Sequence, residues 1–500
     1  MNRYIKVFLS TAAVFVLSSC EDFLTKNPPD KISIQTFWKS EADAQMALAG
    51  IYSRLLNNTF DANQLDWDAI SDDFYLFGTY GRIDNIAKGI VEPTTGGVVE
   101  AIYRDAYRGI SSCNVFLDNV DRTPVSEEKK NAFKAEALFL RSLFYFTLTE
   151  FYGGVPFYLT AATLENAYVA QTSKDEIISQ LVKDLDVAID HLPDAAYKGH
   201  AVKGSAQALK AKILLHQGKW AEAAEAALKV MQSGKFSLSG SYPDLFLSAK
   251  QENNPEIIFS ARYLNPDRYA TEGADMKYGA SLALNARQDF VDEFECVDGK
   301  PISESPLYRA DSIFKNRDPR LSFTIRHVSE PIINPDNGMR HVNSVSGLHT
   351  PYAVRKYVDP THLPLSYATR SDQDFVLLRY AEVLLMYAEA RNEANGPDQS
   401  VYDALNQVRS RPGVKMPPLP AGLDKEAMRL RIRHERRVEL GAEGRRYLDL
   451  KRWKTAEMVI PSIVDPGGVR RNFDPAKHYV FPFPQSEVDV NTLLKQNPNY

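Results

Sequence analysis

The stretch AVKGSAQALKAKILLHQGKWAEAAEAALKVMQSGKF, Ala201 to Phe236, decides the fold. Two alanine-rich runs flank QGKW. In the first, Ala208, Ala211 and Leu215 recur three or four residues apart; in the second, Ala221, Ala224, Leu228 and Met231 do the same. That spacing predicts two amphipathic helices. Alanines on the facing sides allow a close antiparallel approach, and Gly218 permits the tight turn between them.

Such a pair looks like a tetratricopeptide unit, and pairs of this kind bury their core by stacking on one another. A looser second unit runs from Asp374 to Val414, where NGPDQ (residues 395–399) separates two helical stretches. Further pairs are expected from Glu41–Leu56 with Val99–Val120, and from Glu127–Tyr152 with Lys174–Leu192. A chain of 500 residues would ordinarily suggest several domains, but repeats override that expectation. The expected architecture is mainly all-α. Tetratricopeptide-like pairs fall within about 41–233 and 375–411 on one side, and loop-rich insertions, including about 61–98 and 240–370, form an irregular half.

The N-terminus has a different character. Arg3 and Lys6 precede the apolar run VFLSTAAVFVL (residues 7–17), which is too short to span a bilayer, since that takes about 20 apolar residues. A basic start, a short apolar body and small residues before a cut site predict a signal peptide over residues 1–19. The sequence LSSC resembles a bacterial lipobox, and no A-x-A site competes with it. Cleavage there would leave Cys20 at the new N-terminus as the site of lipid attachment. Multiple acyl chains hold a protein stably at a membrane where one does not.

Composition bounds the function. The chain carries 59 Lys and Arg against 64 Asp and Glu, a net charge of −5, and loss of residues 1–19 makes it more acidic. Nucleic-acid partners call for a basic stripe, so none is expected. Besides Cys20 there are Cys113 and Cys296, which make no disulfide framework, although one bridge between them stays open. The histidines show no H-x-x-x-H spacing, and neither a phosphate loop nor a G-x-S-x-G turn appears. No metal, cofactor or catalytic residue is expected.

KAEALFLRSLFYFTLTEFYGGVPFY (residues 134–158) is apolar nearly all round, which predicts a helix buried in protein. Arg141 and Glu150 interrupt it before a membrane span develops, and Gly153, Gly154 and Pro156 stop it. This helix with its YGGVP ending is similar to the signature helix of the SusD/RagB family of surface lipoproteins in Bacteroidetes. Further matches follow in the family's order: CEDFL with NPP, FVDEFECVDGKPI with FKNRDPRL, RYAEVLLMYAEARNEANG with ALNQVRSR, RIRHERRVELGAEGRRYLDLKRW, and the terminal FPFPQSEVDVNTLLKQNPNY. The resemblance covers nearly all of the chain after Cys20. It implies a helical fold with about four tetratricopeptide units and a loop-rich half that carries the ligand site. It also implies glycan binding at the cell surface and a SusC-like TonB-dependent outer-membrane transporter as partner.

Two motifs invite other chemistry. RIRHERRVELGAEGRRYLDLKRW (residues 431–453) could bind phosphate, yet Glu435, Glu439, Glu443 and Asp449 lie three or four residues from arginines, which predicts a salt-bridged structural helix. DEFECVDGK brings together Asp292, Glu293, Glu295 and Asp298, and a carboxylate pair is glycosidase machinery. Clustered acids are more often a solvated loop, and Asp298-Gly299 is a ready turn.

Sugar binding requires flat rings beside hydroxyl-pairing groups. NQLDWDAISDDFYLFGTYGRIDN (residues 63–85) supplies both, with Trp67, Tyr75, Phe77 and Tyr80 among Asp72, Asp73, Arg82, Asp84 and Asn85. From Asp73 onward it reads as a loop, where binding residues concentrate. Trp67 precedes the irregular stretch and is expected in the core. A second candidate region, residues 261–290, offers Arg262, Tyr263, Tyr269, Tyr278 and Asn285. The expected glycan-binding residues are Asp73, Tyr75, Phe77, Tyr80, Asn85, Arg262, Tyr263 and Tyr278. The function expected is a lipid-anchored outer-membrane protein facing the exterior that captures a glycan and passes it to the transporter, without enzymatic turnover. The alternative is a tetratricopeptide adaptor for a peptide or protein, and a surface glycosidase ranks third.

Overall fold

A computed structural model of the chain describes residues 37–500, apart from 58, 272, 345 and 346. The expected signal peptide and Cys20 lie outside the described residues. The fold is mainly α-helical. Its longer helices are α1 (Glu41–Tyr52), α2 (Val98–Asn119), α3 (Glu127–Tyr152), α4 (Lys174–His191), α5 (Lys203–His216), α6 (Trp220–Gln232), α7 (Tyr380–Asn395), α8 (Gln399–Arg409), α9 (Lys425–Leu440) and α10 (Arg446–Arg452). Antiparallel pairs α1/α2, α3/α4, α5/α6 and α7/α8 stack in that order. Helix α2 packs on α3, α4 on α5, and α6 on α7. The last pair joins the solenoid although a long irregular segment, residues 233–379, separates it from α6 in sequence.

Local chemistry sets the helix ends. Ser40 accepts from the Asp43 backbone N–H while Asp43 accepts from that of Ser40, a capping box that satisfies two donors at the start of α1. Ser126 caps α3, and Gly153, at φ +74°, ends it. From Ala135 to Tyr152 nearly every α3 side chain is buried, so its all-round apolar character reflects a central place in the solenoid. The polar exceptions are paired: Arg141 reaches Asp184 at 2.6 Å, and Glu150 holds Lys174 at 2.8 Å and His216 at 2.7 Å. Gly218, at φ +67°, turns α5 into α6. Ala208, Ala211 and Leu215 are buried as the spacing predicts. On α6, however, the buried face is Ala223, Ala224, Ala226, Ala227 and Val230; Ala221 is exposed, because α6 is also covered by α7 and its apolar stripe is rotated accordingly.

The irregular half contains short strands. β1 (Phe74–Leu76), β2 (Ile257–Ala261), β3 (Leu284–Ala286), β4 (Ile325–His327), β5 (Tyr352–Val354) and β6 (Phe375–Arg379) form two sheets, one ordered β1-β3-β5-β4 and the other pairing β2 with β6. Within the stretch expected to be a loop, residues 74–76 are thus a strand, with Tyr75 opposite Asn285. Alternation of buried Phe74 and Leu76 with half-buried Tyr75 carries the period-2 signal, too short to register among flanking glycines.

The arginine-dense motif forms α9 and α10, and its acids are ion-paired, as expected of a structural element. The partners, however, are mostly distant in sequence. Glu435 binds Arg320 and Arg409; Glu439 binds Arg320, Arg379 and Arg411; Glu443 binds Arg379 and Lys356. Only Asp449 with Arg452 keeps the helical spacing, at 2.7 Å. The DEFECVDGK acids are similarly occupied. Glu295 is buried between Arg409 (2.9 Å) and Arg431 (2.6 Å), Glu293 meets Arg437 at 2.6 Å, and Asp298 accepts from Ser305 beside the turn at Gly299. Cys113 and Cys296 are both free and buried.

Candidate functional site

A cleft of about 530 Å³ opens where the two candidate regions of sequence meet. Five elements build it: the 3₁₀ segment Ala62–Ile70, the turn Tyr80–Arg82, the start of α2, the π-helical segment Asp275–Ala280, and the loop around Tyr367. Asn63, Asp66, Glu100, Arg104 and Lys277 supply its polar groups, and Tyr80, Tyr367 and Met276 its apolar surface.

The tyrosines are presented to solvent. Tyr80 is 45% exposed and Tyr367 is 68% exposed. Lys277, in the same cleft, is fixed: its Nζ donates to Asn63 Oδ1 at 2.7 Å, ion-pairs with Asp66, and sits 5.5 Å from the ring centroids of both Tyr80 and Tyr278. Tyr278 is fully buried, with its hydroxyl 3.0 Å from Asp66 Oδ1, to which it donates, and 3.1 Å from the Ala62 carbonyl, so it braces the cleft from behind.

Asp275, at the start of the π-helical segment, organises two walls at once. Its Oδ2 accepts from His362 Nδ1 at 2.8 Å and from Ser371 Oγ at 2.7 Å, and its Oδ1 accepts from the Asp359 backbone. The loop bearing Tyr367 is thereby pinned on both sides to the segment bearing Met276 and Lys277. Burial would lower the His362 pKa, but the hydrogen bond and charge of Asp275, with Asp359 and Asp372, raise it to about 9. Ser248 Oγ lies 3.3 Å from His362 Nε2, which gives a serine–histidine–aspartate order. A charged imidazole cannot take the serine proton, and the hydroxyl donates instead to Asp359 at 3.1 Å, so this trio is a structural clasp.

Of the residues expected to bind, Tyr80 lines the cleft and the others fall elsewhere. Asp73 is fully buried, and Arg437 holds it at 2.6 Å; burial pushes its carboxyl up to about 6 against the pull of that guanidinium. A carboxylate enclosed in this way presents nothing to a ligand in solvent. Its neighbour Asp72 is gripped by Arg446 at 2.8 Å and Arg437 at 3.0 Å. Tyr75 is half-buried with its ring edge-on to His349, Phe77 is exposed just past β1, and Asn85 is half-buried on the short helix Ile83–Ala87. Tyr278 belongs to the core. Tyr263 donates to Asp61 at 3.1 Å in a small recess beside the cleft, and Arg262 pairs with Asp374 at 3.3 Å in a separate depression with Tyr197. Tyr269 lies against Arg370, Asn285 is buried on β3, and Trp67 is in the core, edge-on to Phe151 at 4.8 Å. Sequence reasoning missed Tyr367, Arg104 and Lys277. Tyr367 had a signal, a lone aromatic in the turn-rich PLSYATRSD, residues 364–372.

Among the described residues no group of three or more His, Cys, Asp or Glu could hold a metal ion, and no helix is long and apolar enough to cross a membrane. Exposed tyrosine rings beside amide, ammonium, guanidinium and carboxylate groups suit a ligand with both C–H surfaces and hydroxyls.

Known proteins resemble this chain along almost its whole length. A model of the SusD family matches residues 255–500, and a second, SusD-like, described as starch-binding and associating with the outer membrane, matches residues 22–215. SusD-like protein P25 of Formosa agariphila is 28% identical over 99% of this chain and 98% of its own; P2 of the same organism is 27% identical over 100% of both. Among solved structures, a SusD-like carbohydrate-binding protein of Bacteroides fragilis superimposes with a TM-score of 0.81 at 27% identity, covering 92% of this chain and 100% of that one.

Proposed function

This chain belongs to the SusD family, and from that premise we propose that it is a glycan-capturing lipoprotein of the outer membrane. The observation that carries the reading is the cleft that exposed Tyr80 and Tyr367 line together with the anchored Lys277. Pyranose C–H faces lie on such rings, while hydroxyls in the plane of the sugar reach Asn63, Asp66, Glu100 and Arg104. The carbohydrate-binding description of the Bacteroides fragilis structure and the starch-binding description of the matching family model support the same ligand class.

The chain anchors through Cys20, faces the exterior and passes its glycan to a SusC-like TonB-dependent transporter. It binds without turnover. Of the clustered acids that might have formed a glycosidase pair, Glu293 is ion-paired with Arg437 and Glu295 with Arg409 and Arg431, so neither stands free to face a glycosidic bond.

The test is affinity electrophoresis of the purified protein in gels containing soluble polysaccharides, with an assay for new reducing ends. Retardation in at least one gel with polysaccharide length unchanged is expected. Cleavage that disappears in Glu293→Gln would establish a glycosidase instead. Retention of a peptide or protein, with the chain retarded by no polysaccharide, would establish the adaptor.

A further inference from the structure

Arg104 lines a second cleft as well, of about 480 Å³, whose floor is the stretch of α2 that continues toward its C-terminus. Tyr107, Ser111 and Asn114 present one helical stripe there. Opposite lie the segment Pro156–Thr160 and the loop bearing Tyr168, which is 54% exposed; Glu487 and Asn491 complete the lining. This wall is fixed to the helix. Tyr107 donates to the Pro156 carbonyl at 2.6 Å, Tyr158 to the Ala167 carbonyl at 2.8 Å, and Asn114 to the carbonyls of Tyr158 and Thr160 at 2.9 and 3.1 Å.

The charge of this cleft opposes that of the chain. Arg54, Arg104 and Arg108 all line it, in a protein of net charge −5. Their compensation is thin. The buried carboxylate of Asp105 is shared between Arg104, at 3.0 Å, and Arg108, at 3.9 Å, and it also accepts from Thr59. Glu100 reaches Arg104 only at 4.0 Å, and Arg54 donates to a hydroxyl, Ser112 Oγ, at 3.1 Å. The carboxylate among the lining residues is Glu487, whose pKa is pushed up by burial and by Glu100. Guanidinium forks with spare donors match carboxylate and sulfate oxygens in geometry and charge, and Tyr107, Tyr158 and Tyr168 offer rings beside them.

We propose that this second cleft holds an anionic group, a uronate carboxylate or a sulfate ester, of the saccharide chain that lies between Tyr80 and Tyr367. Glu100, Arg104 and Arg108 succeed one another at four-residue intervals, so about 12 Å of helix carries the chain from one cleft to the other over Arg104. The inference rests on the proposed glycan binding and names the class of glycan: an acidic one.

Affinity electrophoresis of the purified protein in gels containing dextran sulfate, polygalacturonate or neutral dextran tests it, with the double variant Arg54→Gln/Arg108→Gln alongside. Both arginines are exposed, so the variant keeps the wild-type melting temperature. At least one anionic polymer retards the protein more than neutral dextran does. The double variant weakens that retention about tenfold or more, as loss of charge-assisted hydrogen bonds requires. Comparing the two anionic gels tells sulfate from carboxylate. Anionic retention that the double variant leaves unchanged would be non-specific polyanion binding and would overturn the proposal. Neutral polysaccharide bound through Tyr80 and Tyr367, with the protein retarded by neither anionic polymer, would overturn it while the glycan reading stands. Absence of binding to every polysaccharide would remove both.

Discussion

Nδ1 of His362 lies 2.8 Å from Oδ2 of Asp275, and that contact ties the loop bearing Tyr367 to the segment bearing Lys277. Because the folded pKa of His362, about 9, lies above its ordinary 6.5, the stabilisation is fully present below pH 6.5 and is lost as pH rises through 9. The shift corresponds to about 3–4 kcal/mol at most. Melting temperature measured from pH 6 to pH 10 should fall across this window in the wild type. In His362→Gln the curve should be flatter, and glycan affinity should be reduced at every pH. A wild-type profile identical to that of the variant would contradict the clasp.

The two exposed tyrosines and the buried one behind them should respond differently to truncation. Tyr80→Ala and Tyr367→Ala should lower glycan affinity while changing the melting temperature little, since exposed rings contribute little to the core. Tyr278→Ala should destabilise by about 3–5 kcal/mol through the cavity it leaves, with Asp66 losing a donor as well. Measuring both quantities on each variant separates platform from brace.

Arg379 is surrounded by Glu256, Glu439 and Glu443, at 2.9, 2.7 and 2.8 Å. Removing a cation from a buried network strands its anions, at a cost of about 3–5 kcal/mol, so Arg379→Met should lower the denaturation midpoint strongly. Burial alone would raise the carboxyls of Glu435 and Glu443, but the cations beside them, Arg320 and Arg409 for one and Arg379 and Lys356 for the other, hold them below their ordinary 4.5. Their contribution is present above pH 4.5 and is lost as the pH falls toward the lowered values. Urea unfolding at pH 7 and pH 3 should show the loss.

The LSSC sequence that ends at Cys20 predicts an acylated N-terminus. Cys20→Ala should abolish acyl labelling and release the protein from the outer membrane. Retention and labelling equal to the wild type would refute the anchor.

Much of this molecule was legible in the sequence because the signal was local. Alanine spacing and Gly218 announced the helical pairs, the apolar circumference of residues 134–152 announced a buried helix, and the acids among the arginines of residues 431–453 announced a structural element. What only the tertiary structure decided was which groups meet. Glu439 has an arginine, Arg436, three residues away in sequence but is neutralised by Arg320, Arg379 and Arg411 from three other elements. Asp73 reads as a hydroxyl-pairing loop residue, yet Arg437, 364 positions away, claims it. Tyr367 carried no periodicity and gained a place in the cleft only because Asp275 holds His362 and Ser371 on either side of it. Periodicity determines which face of an element is apolar, because that depends on neighbours along the chain. The partner of a charge or a ring depends on which segments the packed core brings within a few ångströms, and spacing along the chain does not encode that distance.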